Sequence, residues 1–138
     1  MSELKQRETL LLEELETCSD WKERYSYILD LGDELSEMPV ELKVDATKVQ
    51  GCVSQVWLFS QLKDGKMIYL CDSDSLFVKG LVAVLIKLYS NLTVEEVLSS
   101  DGNFLMTSGL VENLSPNRVN GAAAILQRIQ DDARKHGS

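Results

Sequence analysis

Histidine is almost missing from this sequence. His136 is the single histidine, and it stands two residues before the end of the 138-residue chain. A Ser-His-Asp triad or a Cys-His pair needs an imidazole in an ordered position, whereas the ends of chains usually fray. The sequence also lacks a glycine-rich phosphate-binding loop of either common spacing. These absences argue against hydrolases with a histidine base and against enzymes built on a nucleotide-binding loop.

Long apolar runs and an excess of positive charge are missing as well. The longest apolar run, Leu81 to Ile86, is far shorter than the roughly 20 residues that cross a bilayer. Charged residues occupy the positions where a signal peptide is apolar, as at Glu3, Lys5 and Arg7. With 14 basic against 22 acidic residues, the net charge of −8 disfavours nucleic acid and anionic membranes as partners. We therefore expect a cytoplasmic protein without a membrane segment.

Paired cysteines are also lacking. Cys18, Cys52 and Cys71 are odd in number, and none belongs to a Cys-x-x-Cys pair. In a reducing cytoplasm they are expected to be thiols rather than disulfides. Because zinc sites usually draw on closely spaced cysteines and histidines, no metal site is predicted.

The length and composition are typical of one folded domain. A chain of 138 residues, 44% of them apolar, can bury a core without metal or disulfide support. We predict a single domain over residues 1–138, with a monomer as the default. The first 50 residues carry 6 basic and 13 acidic side chains, which suits solvated helix faces or a surface that attracts a basic partner.

Apolar spacing predicts two helices in the first forty residues. Asp20 and Glu23 can form a capping box at the start of the second helix, and Gly32 is expected to end its apolar stripe. The apolar faces consist of Leu4, Leu11, Leu12 and Leu15 in the first helix and Trp21, Tyr25, Ile28 and Leu29 in the second.

From Val53 onward the apolar residues alternate, which predicts a β-strand. Asp64-Gly65 is a strong hairpin signal, and Met67 to Cys71 reads as the returning strand. Because both faces of these strands carry apolar residues, helices are expected to cover much of the sheet.

The rest of the chain reads as helices. The segment Leu76 to Tyr89 is apolar almost all round, which predicts a central helix capped by Asp74 or Ser75. Gly80 within it is expected to permit a close helix–sheet contact. Two further helices are predicted to start at Thr93, by a capping box with Glu96, and at Ser115-Pro116. The predicted class is α+β.

Among the three cysteines, Cys52 is the one best placed for chemistry. It follows Gly51, which permits a tight turn, and it precedes the predicted strand. Reactive side chains are often held on loops by rigid elements. The alternative, that Cys52 is a small buried apolar residue, remains open at this point.

Four motifs occur in order between about residues 20 and 125. They are Trp21-x-x-Arg24-Tyr25 with Gly32; Gly51-Cys52-Val53-Ser54-Gln55-Val56-Trp57; Asp72-Ser73-Asp74 followed by Val78-Lys79-Gly80-Leu81; and Leu114-Ser115-Pro116-x-Arg118-x-x-Gly121. This set resembles the SufE family, whose members accept sulfur from cysteine desulfurases during iron–sulfur cluster assembly.

The resemblance implies a fold and a function. The fold is that of the cluster scaffold IscU, a small three-stranded antiparallel sheet packed by helices, with a third strand near Val44 to Gln50. Cys52 would take a persulfide from a SufS-like or CsdA-like cysteine desulfurase, stimulate that enzyme and pass the sulfur to a SufB-type scaffold. The protein would be an accessory carrier rather than an enzyme. It would need no cofactor, because pyridoxal phosphate belongs to the desulfurase.

The same motifs imply residues that support the site. These residues are Gly51, Ser54, Asp74 and Arg118. Asp74 is first a helix cap, although a carboxylate close to a thiol raises the thiol pKa. Arg118 can orient a loop or stabilise an anion, or it can form only a surface ion pair. Cys71 stands where the family has a small residue, which leaves open a disulfide or sulfur relay with Cys52.

Two other functions remain as alternatives. One is an iron–sulfur or metal scaffold resembling IscU, although the spacing of the three cysteines differs from that family and His136 is out of place. The other is a binding module that does not use Cys52 at all.

Overall fold

The computed structural model describes residues 2–137. Its elements in chain order are α1 (Glu3–Glu16), α2 (Trp21–Asp33), a 3₁₀ turn (Val40–Leu42), β1 (Val56–Lys63), β2 (Lys66–Ser73), α3 (Leu76–Tyr89), β3 (Leu92–Thr93), α4 (Val94–Leu98), α5 (Phe104–Thr107) and α6 (Pro116–Gly137). Within residues 2–137, none of the helices combines the length and apolar character needed to cross a membrane.

The sheet has the strand order β1-β2-β3, and both pairs are antiparallel. The hairpin predicted at Asp64-Gly65 is confirmed: φ is +54° at Asp64 and +79° at Gly65, as the tight primed turns between antiparallel strands require. The predicted α+β class, with a three-stranded antiparallel sheet packed by helices, is therefore confirmed.

The position predicted for the third strand is wrong. The third strand is β3, whereas the segment from Val44 to Gln50 makes only an isolated bridge between Lys48 and Trp57. Two backbone hydrogen bonds of 2.8 Å hold that bridge to β1, from Val49 N to Val56 O and from Leu58 N to Thr47 O. A helical turn before Lys48 and the left-handed Gly51 after it leave too few extended residues for a strand.

Helices cover one face of the sheet more fully than the other. Val56 and Leu58 are fully buried on the face that packs against α3 and α6, whereas Trp57 and Phe59 on the opposite face are only half-buried. Lys43 lies over the Trp57 ring, with Nζ 5.8 Å from the ring centroid. The helices expected to cover much of the sheet therefore cover mainly one of its faces.

The predicted helix starts are largely confirmed, and each uses a polar side chain. Asp20 accepts a hydrogen bond from Glu23 N at the start of α2, and Thr93 and Glu96 form the expected capping box of α4. Of the two candidates for α3, Ser75 is the cap, because its hydroxyl accepts from Val78 N.

Helices α2 and α3 cross closely at two glycines, Gly32 and Gly80. A Cβ at Gly80 would overlap the Ile28 carbonyl oxygen and lie 2.7 Å from its Cγ2, and a Cβ at Gly32 would lie 3.0 Å from Gly80 N. The contact predicted between Gly80 and the sheet is therefore wrong, since Gly80 faces α2. Gly32, expected to end the apolar stripe as a helix cap, lies inside the last turn of α2, whose cap is Glu34, and it takes part in this crossing.

We expect the Gly80→Ala variant to lose about 2 kcal/mol of unfolding free energy, because overlap with Ile28 outweighs the better helix propensity of Ala. Urea unfolding monitored by circular dichroism measures the change in unfolding free energy. Gly65→Ala is the control: nothing lies within 4 Å of a Cβ there, so we expect only the strain of its positive φ, about 1 kcal/mol. A Gly80→Ala variant as stable as the wild type would contradict the close crossing.

Candidate functional site

Cys52 lies in a pocket of about 260 Å³ beside the first three turns of α6. Four apolar side chains from α3 and α6 line its interior, and Ser54, Asn117 and Arg118 supply polar atoms. The apolar residues are Val78, Leu81, Ala122 and Ile125. The structure therefore brings Cys52, Ser54 and Arg118, all predicted as site residues, into one pocket.

Gly51 shapes the chain just before the cysteine. Its φ of +90° lies in the left-handed region, where other residues are strained. A Cβ at this position would also lie only 3.3 Å from the Ala124 Cβ on α6. Glycine thus lets the backbone turn close against α6 and direct Cys52 into the pocket, as the sequence predicted for a tight turn.

Asp74 has a different role from the helix cap that the sequence predicted. Its carboxylate accepts a hydrogen bond from Gln55 N at 3.0 Å, and its own N–H donates to Gln55 O at 3.2 Å. Ser73 Oγ also donates to Gln55 O at 2.8 Å. Because Ser75 already caps α3, Asp74 is free to hold the downstream end of the segment that carries Cys52.

The thiol of Cys52 is half-buried and makes one weak polar contact. Its Sγ lies 3.6 Å from the Gly121 carbonyl oxygen, to which the thiol can donate. Burial raises the pKa of the Cys52 thiol, since removal of water disfavours the charged form. In this arrangement the neutral thiol is favoured, whereas the thiolate is the form that attacks sulfur.

Arg118 is held at the same pocket by an aromatic stack. Its guanidinium carbon lies 4.6 Å from the centroid of the Phe77 ring, and that ring stacks at 4.6 Å on Tyr25. Across residues 2–137, no carboxylate forms an ion pair with Arg118, so the surface ion pair considered for it is not found. The positive charge is available to an anion that enters the pocket.

The other two cysteines are separate from this pocket. Cys71 is 2% exposed on the helix-covered face of β2, and burial raises its pKa to about 12. Cys18 is half-buried just after α1, and all three cysteines are free thiols. A Cys52–Cys71 disulfide is thus absent, and a buried neutral thiol at Cys71 offers no support for a relay.

The described residues contain no group of three His, Cys, Asp or Glu side chains placed to hold a metal ion. His136 lies in the last turn of α6 with an exposed side chain, and it is not among the residues that line the pocket. Residues 2–137 thus give the scaffold alternative no ligand set of its own.

Arg128, which is half-buried, and Asp132, which is buried, form a polar pair that the sequence patterns did not predict. Asp132 is 7% exposed and accepts from Ser60 Oγ at 2.6 Å and from Arg128 Nε at 2.9 Å. Their i,i+4 spacing, with Asp132 on the same face as Ile125 and Ile129, was the signal that could have identified them.

Comparison with known proteins identifies the family. The family model described as "SufE: Fe-S metabolism associated domain" matches residues 9–133, the part of the chain that contains the whole pocket. The chain belongs to the SufE family, which is associated with iron–sulfur metabolism.

Individual relatives agree with this assignment. The chain is 42% identical to a SufE-like protein of Synechocystis over 123 residues, which are 89% of this chain and 77% of the relative. It is 35% identical to a SufE-like protein of Rhizobium etli over 129 residues, 90% of this chain and 87% of the relative. Both relatives are described as uncharacterized.

A solved structure has the same fold. The solution structure of a hypothetical protein from Thermus thermophilus matches with a TM-score of 0.78, over 96% of this chain and 94% of that one. At 23% sequence identity, the likeness supports the fold alone.

The raised pKa of Cys52 predicts a measurable pH dependence. Alkylation by iodoacetamide follows the thiolate fraction, so its apparent pKa at Cys52 should be higher in the folded protein than in urea. At pH 8 folded Cys52 should therefore react more slowly than the same residue in the unfolded chain. Peptide mass spectrometry measures both rates, and equal pH profiles in the two states would contradict the prediction.

Proposed function

We propose that this protein is a persulfide carrier in which Cys52 accepts sulfur from a cysteine desulfurase and delivers it to an iron–sulfur cluster scaffold. The observation that carries the proposal is that the pocket holds one thiol, Cys52, within the part of the chain that matches the SufE family. Among residues 2–137, no second thiol lines this pocket, which suits a residue that receives and releases one sulfur atom at a time.

Transfer onto Cys52 requires one exchange of sulfur bonds. The Cys52 thiolate attacks the terminal sulfur of the desulfurase persulfide, and a new S–S bond forms as the bond to the donor cysteine breaks. The donor cysteine leaves as a thiolate, and the proton of the terminal sulfur stays with it on Cys52. Electrons balance, so the step needs neither an oxidant nor a reductant.

Delivery repeats the same chemistry in the other direction. A thiolate of a SufB-type scaffold attacks the terminal sulfur, and Cys52 leaves as a thiolate. No cofactor of this chain takes part, because pyridoxal phosphate acts in the desulfurase, of SufS-like or CsdA-like type, that forms the first persulfide. The carrier is thus an accessory protein that raises desulfurase turnover by removing its product sulfur.

The pocket suits the needs of a carried persulfide. A persulfide that is exposed to oxidants is readily oxidised further, and the apolar side chains around Cys52 limit that exposure. The guanidinium of Arg118 offers a charge to the anionic sulfur during transfer.

Mass spectrometry after incubation with an active cysteine desulfurase and free cysteine tests the proposal. We expect the mass of one sulfur atom on the Cys52 peptide, removed by dithiothreitol and absent in Cys52→Ser. Cys18→Ser is the matched control, because Cys18 is another half-buried free thiol outside the pocket. Sulfur on Cys71, or no sulfur from a cognate enzyme, would overturn the proposal.

Arg118 gives a second test of the same site. If the Arg118 guanidinium stabilises the transferred sulfur, Arg118→Gln should slow sulfur acceptance by about tenfold. A change of this order is expected when one hydrogen bond to a charged group is lost. Arg134→Gln is the control, since Arg134 lies on the same helix in an exposed ion pair with Asp131. Equal rates for the two variants would leave Arg118 without a role in transfer.

A further inference from the structure

Residues 50–54 form the segment that carries Cys52, here called the Cys52 loop, and it is held mainly at its ends. Upstream, Val49 N donates to Val56 O at 2.8 Å. Downstream, Gln55 is held by Asp74 and Ser73. Between these ends, the contact from Cys52 Sγ to the Gly121 carbonyl is the hydrogen bond that ties the loop to α6. The position of the thiol therefore depends on how firmly the two ends are fixed.

The upstream end is fixed by one side chain from α6. Arg128 Nη1 donates to the Lys48 carbonyl at 3.1 Å, and its Nη2 donates to the Ala46 carbonyl at 2.5 Å. These carbonyls lie on the short segment that also bridges to β1 through Lys48. The segment is thus held between β1 on one side and Arg128 on the other.

Asp132 fixes the orientation of Arg128. It accepts from Arg128 Nε at 2.9 Å and from Ser60 Oγ at 2.6 Å, and its side chain is only 10% exposed. All three nitrogens of the guanidinium are therefore occupied, two by backbone carbonyls and one by a carboxylate. The planar fork of arginine suits this arrangement, which a single ammonium group cannot reproduce.

We infer that Arg128 is a positioning residue for Cys52, which fixes the upstream end of the Cys52 loop and so holds the thiol against Gly121 in its pocket. α6 then contacts this part of the chain at two levels, through Arg128 at Lys48 and through Gly121 at Cys52. Without the clamp, residues 46–49 keep their bonds to β1 and to the turn formed by residues 42–45, but they lose their hydrogen bonds to α6, and the thiol leaves the pocket more often. The functional meaning of this role rests on the proposed function, because Cys52 is there the sulfur acceptor.

The three cysteines of the intact chain provide the reporters for a test. Cys52 reports on the loop, half-buried Cys18 serves as an internal reference, and buried Cys71 reacts only when the core opens. The wild type, Arg128→Gln and Arg128→Lys are pulsed with iodoacetamide across a range of pH, and each cysteine peptide is quantified by mass spectrometry. Arg134→Gln, on the same helix but paired only with exposed Asp131, is the control variant.

We expect Arg128→Gln to raise the ratio of Cys52 to Cys18 labelling by about tenfold, the effect of losing hydrogen bonds from a charged donor. Cys71 should stay unlabelled, and the pH profile of Cys52 should shift to lower pH as its thiol becomes solvated. The labelling ratio of Arg128→Lys, which keeps a charge beside Asp132, should lie between the ratios of the wild type and Arg128→Gln. Arg134→Gln should match the wild type.

Two results would overturn the inference. One is a Cys52 to Cys18 ratio equal to that of the wild type in both Arg128 variants. The other is labelling of Cys71 in step with Cys52, which would show a general loss of stability instead of a local release. The labelling measurement uses no desulfurase, so its result does not depend on sulfur transfer. If wild-type Cys52 accepted no sulfur, the proposed function would be rejected, but the conclusion about Arg128 and the position of the thiol would stand.

Discussion

The close crossing of α2 and α3 at Gly32 and Gly80 sets the spacing of the layers around it. Helix α3 is buried along nearly its whole length, so its distance from α2 also determines where its other side meets the sheet and α6. Val78 and Leu81 on α3 form part of the pocket interior, and α6 supplies the facing wall. A bulkier residue at the crossing would therefore disturb the pocket as well as the core.

The site combines two demands that oppose each other. In the proposed function, attack on a persulfide requires a thiolate, whereas the burial of Cys52 favours the neutral thiol. The Cys52 loop is tied to α6 by one weak contact, and a movement that breaks this contact and brings the thiol into water would favour the thiolate. Arg128 upstream and Asp74 downstream hold the two ends of this loop.

The family motifs pointed to residues that share one pocket, but they did not predict which groups hold the segment around Cys52. These residues are Cys52, Ser54 and Arg118. Asp74 was predicted as a cap because acidic residues favour helix starts, but Ser75 takes that place and Asp74 binds Gln55 instead. The capping preferences of Asp and Ser are similar, so the local sequence could not show which of the two adjacent residues caps α3. The choice depends on Gln55, which is distant in the sequence and binds Asp74.

By itself the sequence determined the features that depend on neighbouring residues: the hairpin at Asp64-Gly65, the capping box at Thr93 and the tight turn at Gly51. Only the tertiary structure decided which distant groups meet. It directed Gly80 against Ile28 instead of the sheet, and it brought Arg128 to the carbonyl of Lys48, 80 residues earlier in the chain. Propensity and periodicity reflect the energetics of near neighbours along the backbone, whereas such contacts depend on how the whole core packs.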